Sequence, residues 1–158
     1  MKFISKFNKT VGETLSWLNL AMALLIFIIV VFRYAFQMSW VWMQELSSYF
    51  HSMIILLCMA YALNADEHVR VDVFYRQMSP LKKHWVTLLG NVFLLFPFCY
   101  IVISRSWPYV MDSWSVLESS GDAGGLPGVF LLKSLIPTGA FLLGLQGLVQ
   151  CVESATAI

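Results

Sequence analysis

Three histidines are the side chains in this sequence whose chemistry could build a cofactor site. A b-type haem needs two imidazoles at similar depth on facing helices. His51 lies about two helical turns inside one apolar stretch, His84 lies at the start of another, and His68 lies in the connection between them. These three depths disfavour a haem site, and no cofactor is expected. We interpret His51 as a hydrogen-bonded residue that faces protein, close to the serines around it.

The positions of the acidic residues bear on a second possible function, ion-coupled transport. A carrier of that kind needs a carboxylate in the middle of the membrane. Glu13 and Glu45 instead lie at the ends of apolar stretches. Glu45 begins a stretch, where a helix N-terminus favours an anion, and we expect it to pair with Arg33 at the end of the preceding stretch. Transport by this chain alone is therefore not expected.

Lys133 lies at the edge of the last apolar stretch. A lysine in that position can extend its ammonium group toward water while its stem stays in the apolar layer. We expect this arrangement, or an ion pair with Glu118 or Asp122. Contact with an anionic substrate is the alternative.

Cys58, Cys99 and Cys151 all fall in apolar stretches, where cysteine behaves as a small hydrophobic residue. Their spacing is not that of a metal site. The sequence has no glycine-rich phosphate loop, no Ser/His/Asp arrangement and no paired carboxylates. An enzyme is therefore not expected.

Four uncharged stretches must position all of these side chains. A helix needs about 20 apolar residues to cross the hydrocarbon core of a bilayer. The 158-residue chain is 59% hydrophobic and only 12% charged, against about 25% charged in soluble domains. The net charge of +1 includes no basic block, so nucleic acid is not an expected partner. The uncharged stretches are Thr14–Phe32, Leu46–Ala65, Trp85–Ser104 and Ser134–Val152.

The pattern predicts an all-α membrane protein with four transmembrane helices in one domain, residues 1–158. The spans are expected at about 14–36, 45–65, 80–104 and 129–152. Amphipathic interfacial helices are expected at about 2–12 and 105–119, the second either lying in the interface or extending the third span. The first apolar stretch is too long for a signal peptide core, so we treat it as retained.

The lysines and arginines predict the orientation. Seven of the ten lie in the N-terminal segment or in the connection between the second and third spans. Cytoplasmic loops carry the excess of such residues. Both termini are therefore expected in the cytoplasm, with membrane lipids as partners.

Small and polar residues on the last span favour assembly. Ala140 and Gly144 are four residues apart and Gly147 follows one turn later, a spacing that lets helices pack closely. Gln146 and Gln150 lie one turn apart on the same helix. Such faces seldom point at lipid, so we expect Gly144 and Gly147 to pack within the chain or against another membrane protein.

An ordered set of motifs runs through the chain. Arg33, Trp40 and Glu45 precede an Asp66–Asp72 connection, which reads Asp-Glu-His-Val-Arg-Val-Asp. Downstream follow Glu118-Ser119, Leu126-Pro127, Lys133 and Pro137. This set resembles the small membrane subunit (DctQ-type) of tripartite ATP-independent periplasmic (TRAP) transporters over nearly the whole chain.

The resemblance implies that the chain serves a sodium-coupled importer of carboxylates, such as a dicarboxylate or a sialic acid. A large multi-span subunit would move the substrate, and a periplasmic protein would deliver it. The small subunit would brace the large one and bind neither substrate nor sodium. The rival hypotheses are a haem-binding redox anchor and a small self-sufficient exporter. The expected interface or structural residues are Arg33, Glu45, His68, Arg70, Asp72, Arg105, Asp112, Lys133, Gly144 and Gly147.

Overall fold

The computed structural model describes residues 2–65, 75 and 77–157 of the chain. The described residues form helices joined by turns and contain no strand. The elements are α1 (Lys2–Ala35), α2 (Val41–Asn64), α3 (Pro80–Gly90), a π-helical turn (Asn91–Leu95), α4 (Phe96–Ser115) and α5 (Val129–Ala157). Within the described part of the chain, four helical stretches are long and apolar enough to cross a membrane, counting α3 to α4 as one. The predicted all-α fold with four spans is confirmed.

The first and third spans are longer than a bilayer needs. At 34 residues, α1 is about 51 Å long at 1.5 Å per residue, against about 30 Å of hydrocarbon. Residues 2–12, expected as an interfacial helix, are helical and continue into the first span without a break. Residues 105–115 likewise continue α4, so this segment extends the third span. The amphipathic segments are therefore extensions of the spans.

The first turn of α3 begins directly after Ser79. Ser79 has an extended backbone at the N-cap position and Pro80 occupies the first turn, where a missing N–H costs no hydrogen bond. The Ser79 hydroxyl makes no capping bond. Further along, the Phe96 N–H bonds the Asn91 carbonyl and closes the π-helical turn just before Pro97. Pro97 has no N–H to donate, so the helix is irregular where it passes from α3 to α4.

Helix α5 lies at the centre of the bundle. It packs against α1, α2, α3 and α4, whereas no residue in the most apolar part of α1 is buried. The buried hydrophobic cluster joins Leu63 of α2, Cys99 of α4 and Leu143 of α5. The helices alternate in direction. One end of the bundle, which we name the terminal end, holds the starts of α1 and α3 and the ends of α2 and α5. The opposite end is the distal end.

Two glycines let α2 pack closely against its neighbours α1 and α5. A Cβ built on Gly139 of α5 would lie 2.5 Å from the backbone carbonyl oxygen of Leu56 in α2. A Cβ on Gly12 of α1 would lie 2.2 Å from the Tyr61 ring, also in α2. Real Cβ atoms do not approach so closely, so only glycine allows these helices to pack at these distances.

Candidate functional site

The terminal end contains a buried chain of carboxamide side chains. Asn8 of α1 donates from Nδ2 to Oε1 of Gln146 in α5, at 2.9 Å. Gln146 donates from Nε2 to Oδ1 of Asn64 in α2, at 3.0 Å. Asn64 in turn donates to the carbonyl of Ser5, at 3.4 Å. Asn8 and Gln146 are each only 2% exposed. Three helices are therefore joined by two almost fully buried side chains, Asn8 and Gln146, and by the half-buried Asn64.

A second branch brings in the third span. Asn91, the first residue of the π-helical turn, donates to Oε1 of Gln150 at 3.3 Å. Gln150 donates to the carbonyl of Leu63 at 3.0 Å. We name the two branches together the amide network, and its members are Asn8, Asn64, Asn91, Gln146 and Gln150. Every span contributes to it. The sequence predicted a polar face at Gln146 and Gln150 but not their three asparagine partners.

The chemistry of the amide network indicates a structural role. Carboxamides are neutral and do not titrate, so they donate and accept hydrogen bonds without moving a proton. Buried polar groups without partners are costly in a medium of low dielectric constant. The amide network pairs these groups with each other and with backbone carbonyls, which fixes how the helices pack.

At the distal end, Glu45 of α2 holds the turn that leads into α5. One carboxylate oxygen accepts a hydrogen bond from the Ser120 hydroxyl, and the other accepts from the Leu126 N–H at 2.6 Å. A Cβ on Gly125 would lie 2.4 Å from the Ser120 oxygen and 2.7 Å from a Glu45 oxygen. We name residues 116–128 the distal loop; the side chain of Glu45 fastens it to α2.

The expected pair between Glu45 and Arg33 is not formed. Both carboxylate oxygens of Glu45 bind the distal loop, and the side chain of Arg33 is exposed. The prediction was wrong because it chose the nearest basic residue in sequence. The actual partners lie 75 and 81 residues away and reach Glu45 only through the fold.

Glu118 fastens the distal loop a second time. Its carboxylate accepts hydrogen bonds from the Ser113 hydroxyl, at 2.6 Å, and from the Lys133 ammonium group. The Lys133 ammonium group also lies 4.0 Å from the centroid of the Tyr109 ring. The hydrogen bond from Lys133, then that from Ser113, hold the pKa of Glu118 below its usual value. Of the outcomes expected for Lys133, the structure forms the ion pair with Glu118.

Backbone bonds complete the distal loop. The Ser120 N–H bonds the Leu126 carbonyl at 3.1 Å, and the Val129 N–H bonds the Glu118 carbonyl at 3.1 Å. Leu117 has φ of 45°, and Gly124 has φ of 79°. A leucine in this left-handed region is uncommon, and here it turns the chain directly after α4. The distal loop is thus a built structure with defined partners.

The remaining predicted residues occupy different surroundings. Arg105 and Asp112 are exposed on α4. Gly147 is buried against Leu95 and Phe96, and a Cβ there would lie 2.3 Å from the end of the Leu95 side chain. Gly144 lines an apolar groove of about 190 Å³ between α4 and α5. His68, Arg70 and Asp72 lie outside the described residues.

The histidines do not form a site in the described part of the chain. His51 was expected to face protein and bond nearby groups, but its side chain is exposed on α2. His84 is half-buried in the second turn of α3, close to the terminal end. Among the residues that the structure describes, no group of three or more His, Cys, Asp or Glu side chains could hold a metal ion.

Both comparisons with known proteins match components of TRAP transporters. A family model described as "Tripartite ATP-independent periplasmic transporters, DctQ component" matches residues 22–157. A protein of Haemophilus influenzae, provisionally named a TRAP transporter small permease protein, is 29% identical over 86 residues. That match covers 54% of this chain and 53% of the relative, so the chain spans about half the length of this relative.

Proposed function

Because the chain belongs to the family of the DctQ component of tripartite ATP-independent periplasmic transporters, we propose that it is the static scaffold of a sodium-coupled carboxylate importer. The family match confirms the resemblance predicted from the motifs. It makes the chain a membrane component of a transporter, with four helices that can span the bilayer. The proposal adds its role: the chain braces a large transport subunit, which moves a dicarboxylate or a sialic acid.

One observation carries the proposed role: the buried polar side chains are used to join helices. The amide network at the terminal end closes on itself and on backbone carbonyls. At the distal end, Glu45 and Glu118 bind the distal loop and Lys133. A carrier needs such groups free along a path, where they can exchange partners with an ion or substrate. Their engagement in the fold favours a subunit that stays rigid.

The exposed apolar surface suits a subunit that works by binding another membrane protein. The groove between α4 and α5 is lined by apolar side chains, and α1 exposes large hydrophobic residues along its length, among them Trp17, Phe27 and Tyr34. In a membrane these faces are covered by lipid or by another protein. We assign them to membrane lipids and to the stationary part of the large subunit.

The proposed orientation of the chain in the membrane indicates which protein contacts the distal end. Lys6 and Lys9 lie at the terminal end and Lys82 begins α3 there, so this end is assigned to the cytoplasm under the positive-inside rule. The distal end then faces the periplasm of a bacterial inner membrane. Exposed Arg33 and Asp112, together with the distal loop, are the proposed contacts for the periplasmic protein that delivers substrate.

Purification from the native membrane tests this function. A chain with an affinity tag, extracted in mild detergent, is expected to bring down a larger multi-span membrane protein in equal amount, identified by mass spectrometry. The matched control is an unrelated tagged four-span protein expressed at the same level. Recovery of the chain alone, or only with further copies of itself, would overturn the scaffold role.

A further inference from the structure

The outward side of α2 carries polar side chains where a lipid-facing helix would be apolar. Gln44, Ser48, His51 and Ile55 are all exposed and follow each other at intervals of four, three and four residues. This spacing places them on one side of the helix. We name this set the His51 stripe. The opposite side of α2 packs against the rest of the bundle through residues such as Leu56 and Tyr61.

Within the His51 stripe, His51 is the polar residue that lacks a partner. Gln44 donates to the hydroxyl of Ser39 at 3.0 Å, and Ser48 donates to the carbonyl of Gln44 at 3.5 Å. A serine on a helix in lipid can satisfy its hydroxyl in this way. The neutral imidazole of His51 has one N–H donor and one acceptor nitrogen, and neither bonds any residue that the structure describes.

His51 also lies deep in its helix. It follows Val41 by ten residues and precedes Asn64 by thirteen, which places it about 15 Å from one end of α2 and about 20 Å from the other. His51 also lies inside the uncharged stretch Leu46–Ala65, so a spanning α2 holds it within the hydrocarbon layer. Ionisable side chains at that depth are rare, face protein or water, and pair with another group.

A second uncovered polar group lies at almost the same depth. Asn19 of α1 is exposed and bonds no other described residue. The helices α1 and α2 run in opposite directions, with Gly12 against Tyr61 and Phe32 against Trp40. Asn19 therefore lies within about one helical turn of His51 in height. His51 and Asn19 are thus two exposed hydrogen-bonding groups in the same layer of the membrane.

Lipid tails cannot satisfy these groups, because they have no hydrogen-bond donor or acceptor. We propose that a transmembrane helix of the large transport subunit covers the His51 stripe, and that a carboxylate, amide or hydroxyl group on that helix hydrogen-bonds His51. The inference rests on the proposed function and adds the place of contact.

The test compares three variants in the complex purified with the large subunit. His51→Leu removes both hydrogen-bonding nitrogens, His51→Gln keeps a donor and an acceptor, and Leu89→Met is an apolar control at an exposed residue of α3, outside the His51 stripe. The retained large subunit is measured as detergent concentration rises. The expected dissociation constant is about 3- to 20-fold higher for His51→Leu, and within twofold of the unchanged protein for the other two. The thermal stability of the isolated chain should not change.

A photoreactive phenylalanine derivative at position 51 identifies the neighbour. We expect an adduct with the large subunit. An adduct only with a second copy of the chain or with lipid would overturn the inference, as would equal retention of the large subunit by His51→Leu. If the unchanged chain retains no large subunit, the proposed function fails together with this inference. If retention is normal and only the effects at position 51 are absent, the inference fails alone.

Discussion

Replacing Gln146 with leucine is expected to lower the free energy of unfolding of the isolated chain by about 2–4 kcal/mol. The substitution leaves the Asn8 amide without its acceptor and the Asn64 carbonyl oxygen without its donor. Each buried polar group left unpaired costs about 1–3 kcal/mol. Loss of helical signal during unfolding in mixed micelles measures the change. The control is Gln44→Leu, which alters an exposed glutamine and should stay within about 0.5 kcal/mol.

The same experiment can separate loss of hydrogen bonds from loss of shape. Replacing Asn8, Asn64 and Gln146 together with apolar residues of similar size removes all three polar groups, so none is left unpaired. We expect this triple variant to be more stable than Gln146→Leu alone. If Gln146→Leu has no effect, or if the triple variant loses the sum of the single losses, the amide network does not hold the helices together.

Replacing Gly139 with alanine is expected to cost about 1–3 kcal/mol through overpacking. The new methyl group would lie 2.5 Å from the Leu56 carbonyl oxygen, which belongs to a helix backbone and cannot rotate away. The matched control is Gly144→Ala on the same helix, where the nearest atoms belong to Cys99 at 3.8 Å. That distance is ordinary van der Waals contact, so the control should be nearly neutral.

The stabilities of Gly139→Ala and Gly144→Ala are compared by thermal unfolding in the same detergent. Equal stabilities would contradict the close approach of α2 and α5 at Gly139. A large loss for Gly144→Ala would instead place a tight contact at the groove.

The sequence predicted the four spans because length and lack of charge report directly on a helix that crosses a membrane. It did not predict which faces are buried. Inside a bilayer the outer face of a helix is as apolar as the packed face, so periodicity cannot separate them. His51 was assigned to the interior for this reason, and the tight contacts at Gly12 and Gly139 were missed.

Hydrogen-bonded pairs of residues far apart in sequence were the second feature that the sequence did not predict. The partners of Glu45 come from the distal loop and the partners of Gln146 come from α1 and α2, all far away in sequence. Such pairs depend on which helices become neighbours, which no local pattern contains. One signal was available for two of the partners: an asparagine inside an apolar stretch needs a hydrogen-bond partner in a membrane, and Asn64 and Asn91 lie in such stretches.

Uptake by proteoliposomes tests the central claim that this chain supports transport carried out by another subunit. Vesicles receive the chain alone, the chain with the large subunit, or both with the periplasmic protein, and an inward sodium gradient is imposed. Accumulation of a radiolabelled carboxylate is measured. We expect no uptake with the chain alone, and uptake only when all three proteins are present. Sodium-driven uptake by vesicles that contain only this chain would contradict this claim.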